Sequence, residues 1–307
     1  MRWLAALLLC ALSTAAGAES WRVVLIGDTP YGEQERRALP AMLQAINDEN
    51  VDLIVHAGDF KHSNDTCSDA LFEDRRRLFD ASDAPFVYVP GDNEWTDCER
   101  LAAGHYAPLE RLAALRRVFM PTDESLGQRR IPLQRQAGDY REHQRWRLGP
   151  VVFATLNVPG GNNNYRPDGQ PGPEASARMP QVLGWLRDTF AVARAEKLAG
   201  VVLVMQADPA FKRFASGVGH RAFRSLLETL REETMNFSGQ VLLVHGDTHW
   251  QRVDKPLRNP ANGKRLANFT RAETFGYPFM GWVKVFIEPD RPALFRFEAH
   301  PWPQPGN

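Results

Sequence analysis

The sequence predicts an α/β protein in which two packed, mixed β-sheets are flanked by helices. Three observations predict it. Apolar runs alternate with helically spaced segments from Trp21 to Asp92. Four apolar runs along the chain close on Gly-Asp. From Leu266 to His300 the pattern turns to strands without helices. An α/β core followed by an all-strand tail gives two sheets, and the helices between strands are what cover them.

Trp21 to Asp28 is apolar on both faces, so it reads as a buried strand of a parallel sheet. Gln34 to Asn50 follows, with Leu39, Met42, Leu43 and Ile46 on one helical face. Asp52 to Asp59 is the second apolar run, Ser68 to Ala81 the second helix, and Phe86 to Asp92 the third run. Crossovers this short favour parallel strands with right-handed connections. Tyr106 to Val118 is helically spaced. Pro121 to Gly149 is rich in arginine and poor in apolar residues. Val151 to Asn157 is a strand running into a Gly/Asn/Pro-rich loop. Met179 to Ala199 and Phe223 to Met235 are helices, each followed by a strand, Val201 to Met205 and Val241 to His245. In the tail, Trp282 to Ile287 and Ala293 to Phe297 alternate as strands do, which predicts a second, mainly antiparallel sheet. No internal repeat or linker divides the chain.

The first residues read as a leader rather than as fold. Arg2 is the positive end, Leu4 to Leu12 the short apolar stretch, and Ala16-Gly17-Ala18 the small-residue cleavage site. Residues 1–18 are therefore expected to be a signal peptide and residues 19–307 a single domain, exported to a periplasm or the exterior. No other stretch is apolar for long enough to span a bilayer. The 37 basic and 37 acidic residues balance, so the electrostatic footprint of a nucleic-acid binder is absent. Cys67 and Cys98 remain after the leader is removed. In an oxidising compartment they most simply form one disulfide; free thiols and a shared metal are the other readings.

The chemistry is carried by the strand ends. Chance pairing of 23 Gly and 19 Asp gives roughly 1.4 Gly-Asp dipeptides. The chain has five, and four of them, ending in Asp28, Asp59, Asp92 and Asp247, close apolar strands. The carboxyl ends of strands line the ligand crevice of an open α/β sheet. Four carboxylates brought together there repel one another unless a cation neutralises them. Glycine before each aspartate lets the backbone turn or approach closely. The plainer alternative is four solvated turns.

These stretches resemble the calcineurin-like metallophosphoesterase superfamily over about Arg22 to Ile287. The resembling motifs are Gly27-Asp28-Thr29-Pro30, Gly58-Asp59, Gly91-Asp92-Asn93-Glu94, Met205-Gln206-Ala207-Asp208 and Gly246-Asp247-Thr248-His249, in the family's order. The resemblance implies hydrolysis of phosphate mono- or diesters of small phosphorylated substrates by a pair of divalent cations. Carried over by position, one cation would be held by Asp28, Asp59 and His249. The other would be held by Asp59, Asp92, Gln206 and Asp247. The chain departs from the family at five places. Pro30, Gln206 and Asp247 stand where the family has histidine ligands, Asp92 replaces an asparagine ligand and adds charge, and Asn93 stands where the family has the histidine that assists the leaving group. A donor set this rich in oxygen implies Mn²⁺, Mg²⁺ or Ca²⁺ rather than Zn²⁺ or Fe.

The loss of that histidine leaves His62 and His245 as candidate proton donors. His62 follows the Asp59 loop; His245 ends its strand. Lys61, Asn157 and Asn163 are candidate substrate contacts, with loop structure as the plainer reading for the asparagines. Glu94 is expected to support the metal loop by hydrogen bonding. The arginines from Arg129 to Arg147 are read either as a substrate-greeting patch or as a solvated hairpin. The alternative to an enzyme is a binding module on the same fold that holds a cation or a phosphorylated ligand without turnover.

Overall fold

The computed structural model describes residues 19–303 with Gly219 excepted. The expected leader, residues 1–18, lies outside the described residues. Strands are numbered along the chain. In the first sheet β1 (Trp21–Ile26) pairs in parallel with β2 (Leu53–His56), and β2 with β3 (Phe86–Tyr88). The crossovers are the helices Gly32–Asp48 and Asp69–Asp80. The second sheet runs β4 (Gln134–Arg135), β5 (Gln144–Leu148), β6 (Val151–Thr155), β7 (Gly200–Val204), β8 (Gln240–His245), β10 (Phe269–Glu273) and β9 (Arg252–Asp254). Its central strands, from β6 to β10, are parallel; its edges are antiparallel.

The two sheets pack face to face. Val23, Leu25, Val55 and Val87 of the first meet Phe153, Val202, Val204, Leu242 and Val244 of the second. The alternate residues of the same strands face outward under helices. Val24, Ile26 and Ile54 pack on Leu39, Met42 and Ile46, and Val152, Val201 and Leu243 pack on Val182, Leu186 and Leu226. Apolar cover on both faces is why these strands read as continuous rather than alternating runs. The result is two mixed sheets between helices, as expected.

The tail behaves differently from the expectation. It does not form the second sheet by itself. Strand β10 joins the parallel core beside β8. Strands β11 (Gly281–Ile287) and β12 (Phe295–Pro301) instead join the first sheet, β11 running antiparallel to β1. The pairing register decides this: Val23 and Leu25 lie opposite Val285 and Val283, so all four reach the same inter-sheet core. The edge of β1 needs a partner for its backbone groups, and β11 supplies one.

The arginine-rich segment is a hairpin at the edge of the second sheet, not an open patch. Arg135 and Arg141 donate to the carbonyls of Thr122 and Met120, and Arg129 to that of Val51. Their guanidinium groups hold the chain together.

Candidate metal centre

The four Gly-Asp corners come to one place at the carboxyl ends of β1, β2, β3 and β8. Their glycines show how closely. A Cβ on Gly91 would overlap Asp59 Oδ1, and one on Gly246 would overlap Asp28 Oδ2. On Gly58 it would stand 2.7 Å from the Gln206 side chain, and on Gly160 2.6 Å from Asp92 Oδ1 and 2.7 Å from Asp247 Oδ1. Glycine is thus required for space, so that the carboxylate of one corner fits against the backbone of the next. The backbone strain lies elsewhere: Asp28, Asp59, Asp247 and His249 themselves have φ of 49°, 59°, 78° and 57°. Non-glycine residues adopt this left-handed region at a cost, and such outliers cluster at functional sites. Gly91→Ala is expected to remove cation binding while the sheet remains, measured by equilibrium dialysis alongside circular dichroism.

The loops are held by buried polar groups. His56 Nε2 donates to the Thr29 carbonyl at 2.7 Å, and its Nδ1 accepts from the Gly58 amide at 3.1 Å. That uses both nitrogens of a neutral ring, and burial pushes its pKa down to about 4. Glu35 accepts from the Tyr31 amide and Thr29 hydroxyl. Glu94 Oε1 accepts from the Asp59 amide at 2.9 Å and from Tyr88 Oη at 2.7 Å, so it supports the second corner as expected. Cys67 and Cys98 form a disulfide that ties the segment after Asp59 to the segment after Asp92. Both sulfurs lie 3.6–3.7 Å from the Asn93 carbonyl oxygen. In exported protein, alkylation without prior reduction is expected to label neither cysteine, and the double Ser variant to lose about 3 kcal/mol of stability. Labelling of both would remove this support from the site.

Electrostatically the cluster is overloaded with negative charge. Burial raises the Asp28 carboxyl above the usual range and raises those of Asp59 and Asp92 well above it. Repulsion adds to this: Asp92 acts on Asp59, and Asp247 on Asp92. Asp247 is pushed up to about 6, first by burial. Burial pulls the His249 imidazole down, but Asp28, 3.5 Å from its Nε2, outweighs this and leaves it raised.

Comparison with known proteins matches residues 22–251 to the model of the calcineurin-like phosphoesterases. The chain belongs to the calcineurin-like phosphoesterase family. Sequence comparison with curated proteins finds no significant match. The fold is similar to that of a dimetal phosphatase from Danio rerio, with 12% identity, a TM-score of 0.58, and 92% of this chain and 96% of that one covered. It is also similar to PhoD, at 13% identity and a TM-score of 0.59, covering 89% of this chain and 65% of that one. A purple acid phosphatase from yellow lupin seeds is similar at 13% identity and a TM-score of 0.52, with 88% and 49% covered.

In this calcineurin-like phosphoesterase the candidate ligands bond to one another and to backbone amides. Asp28 accepts from the Asp247 amide at 3.1 Å. Asp247 Oδ2 accepts from the Asp208 amide at 2.8 Å. Asp59 Oδ1 accepts from the Asn93 amide at 3.1 Å, and its Oδ2 from Gln206 Nε2 at 3.0 Å. Gln206 Oε1 accepts from the Gly160 amide. As they stand, no three His, Cys, Asp or Glu side chains among the described residues are poised around one ion. The donor set nevertheless fits divalent cations. Asp92 Oδ1 is buried with no hydrogen-bond partner, and four carboxyls whose pKa values are raised are grouped on glycine corners. A cation would exchange weak donors for a full charge.

The remaining candidates divide. His62 stands beside the cluster, in an aromatic group with Tyr31 and Tyr277 at ring distances of 5.7 and 6.4 Å. Its Nδ1 accepts from the Asn64 amide, which leaves the proton on Nε2. His245 is turned away: Nδ1 donates to the Gly246 carbonyl and Nε2 faces Glu273 at 4.0 Å. Burial pushes its pKa down to about 4, so it carries no spare proton at neutral pH. Lys61 is fully buried, its ammonium donating to the His62 carbonyl, so it offers no exposed phosphate contact. Asn157 and Asn163 are buried in the loop itself. Asn157 Nδ2 donates to Glu142, and Asn163 donates to the Ala222 carbonyl and accepts from Arg178. Both shape the loop that sets Gly160 against Asp92 and Asp247.

Tyr31 is the site residue that sequence reasoning missed. Its hydroxyl donates to Asp59 Oδ2 at 3.2 Å and accepts from Asn93 Nδ2 at 2.8 Å. It follows Pro30, the position where the family's first histidine is missing. A large polar side chain beside a lost ligand was the available signal.

Proposed function

We propose that the protein is an exported, metal-dependent phosphoesterase that uses two divalent cations. The observation that carries this is the convergence of Asp28, Asp59, Asp92 and Asp247, each with a raised pKa, in a calcineurin-like phosphoesterase. Asp28, Asp59 and His249 would hold one cation, and Asp59, Asp92, Gln206 and Asp247 the other. Bound there, such cations would supply Lewis acidity to a phosphoryl oxygen and lower the pKa of water toward neutrality.

The chain's own residues do the rest. Tyr31 and the Asn93 amide orient the Asp59 carboxylate. Burial and the neighbouring carboxylates raise the Tyr31 phenol well above its ordinary value, so its proton stays on Oη. Asn93 Nδ2 is engaged by Tyr31 Oη and the Lys61 carbonyl, and an amide has no proton to give a leaving group. His62 Nε2, at the edge of the cluster, is the proton donor in this reading. Export is supported by the disulfide and by the leader-like residues 1–18. Among the described residues no helix is long and apolar enough to cross a membrane.

The test is hydrolysis of aryl phosphate mono- and diesters by residues 19–307, chelated and then reloaded with Mn²⁺, Mg²⁺, Ca²⁺ or Zn²⁺. Activity that vanishes with chelator and returns best with Mn²⁺, Mg²⁺ or Ca²⁺ is expected. The second reading, a cation-binding module without turnover, is favoured by Pro30, Gln206, Asp247 and Asn93 at the positions where the resemblance implies histidines. It wins if a folded, metal-loaded protein hydrolyses neither ester.

A further inference from the structure

A second cavity, of about 740 Å³, opens beside the aspartate cluster. Thr248, between the candidate ligands Asp247 and His249, is on its wall, as is Asp208, whose amide holds Asp247. The cavity begins where the candidate metal centre ends. Its cations fall into two groups. Arg252 is neutralised by Glu273 and Asp208, and Arg271 by both oxygens of Asp254. Lys212, Arg213, Arg258 and Arg265 have no carboxylate partner among the described residues.

Arg258 and Arg265 sit opposite each other across an isolated antiparallel bridge. Like charges directly opposite on paired strands destabilise the pairing. An anion between them would turn that repulsion into two charge-assisted hydrogen bonds, for which the guanidinium fork is suited. Trp250 lines the same cavity and is 70% exposed. Its indole contributes little to the core and presents a flat apolar face on which a planar ring can stack.

We propose that this cavity binds the organic half of the substrate, which carries a second phosphate and a planar ring, as a nucleoside bisphosphate does. The scissile phosphate lies at the aspartate cluster, the second phosphate at Arg258 and Arg265 with Lys212 of the same cavity as a further cation, and the ring on Trp250. The hydrolytic part of the proposal rests on the phosphoesterase reading; the binding part does not. Water adds across one P–O bond, releasing inorganic phosphate and the alcohol, and the second phosphate stays on the product.

The experiment uses residues 19–307, the double variant Arg258→Ala/Arg265→Ala and the single variant Lys212→Ala. Hydrolysis of adenosine 3′,5′-bisphosphate is compared with that of 4-nitrophenyl phosphate. In parallel, bisphosphate binding is followed by quenching of tryptophan fluorescence in chelator, with Trp250→Phe as the control. Both sets of alanine variants are expected to raise KM for the bisphosphate about tenfold or more, the loss of one or more charge-assisted hydrogen bonds. Turnover of 4-nitrophenyl phosphate should change by less than about twofold, because that ester places nothing on these cations. Equal losses on both substrates, or none on either, overturn the proposal. If the wild type hydrolyses neither ester, the binding arm decides. Saturable quenching that the variants weaken about tenfold upholds the cavity while the hydrolytic reading falls. Quenching that is absent, or unchanged in the variants, overturns the cavity.

Discussion

Replacing Asp59 by Asn is expected to lower phosphoester hydrolysis by about 10³-fold or more, because one carboxylate would serve both cations. The same variant should fold. Asn keeps an oxygen to accept from the Asn93 amide, and loses the bonds that Gln206 Nε2 and Tyr31 Oη donate to Oδ2. Each is worth about 1 kcal/mol. Against them stands the removal of a buried charge whose pKa is raised well above the usual range by burial, Asp92 and Glu94. The metal-free variant is therefore expected to melt no lower than the metal-free wild type at pH 8. Calorimetry of the two proteins in chelator checks this. An inactive variant that melts well below the wild type would point to a structural role for Asp59.

Stability should fall more steeply with rising pH in the metal-free protein than in the metal-loaded protein. Asp247 has a folded pKa of about 6 against an ordinary 3.8. A carboxyl raised on folding contributes stability below about pH 4 that is lost as pH rises through about 6, since the folded state then loses a proton it held more tightly. Asp247 alone accounts for about 3 kcal/mol. Glu273, raised to about 7, acts in the same direction, as do Asp28, Asp59 and Asp92. The buried histidines have the opposite sign. His56, His143 and His245 are lowered from 6.5 to about 4, so they cost stability as pH falls through that interval. Above pH 6.5 their effect is complete, and the raised carboxyls act together with His249, whose raised imidazole also loses stability as pH rises. In chelator, the melting temperature should fall between pH 6.5 and 8. With saturating Mn²⁺ the ligand carboxylates are held ionised, and the fall should shrink to the part that Glu273 contributes. The gap between the metal-loaded and metal-free melting temperatures should widen across this interval, by about 2 °C for each kcal/mol the carboxyls lose. A gap of zero at every pH would mean that no cation binds here.

The parts of this molecule legible in its sequence are those set by local pattern. Continuous apolar runs announced strands covered on both faces, and Gly-Asp at their ends placed Asp28, Asp59, Asp92 and Asp247 at one crevice. What local pattern does not carry is pairing between distant segments. Nothing in Trp282 to Ile287 says that, besides the tail strand β12, its other partner is β1; the match of Val283 and Val285 to Leu25 and Val23 decides that. The use of glycine was also partly hidden. Gly91 and Gly246 are needed for the space they leave to another corner's carboxylate, which only the assembled site reveals. The partners of Tyr31 were hidden for the same reason, since Asp59 and Asn93 lie 28 and 62 residues away; only its place after Pro30 marked it. The asparagines and Lys61 have the composition of a substrate loop, yet their side-chain nitrogens donate inside the protein.

The most direct test of the account is the amount of divalent cation bound per chain, measured by equilibrium dialysis against Mn²⁺ and elemental analysis. The wild type is expected to hold up to two ions, and the Asp59→Asn variant to lose both or retain one weakly. A folded wild type that retains no Mn²⁺, Mg²⁺ or Ca²⁺ above background would contradict the reading of the aspartate cluster as a metal centre.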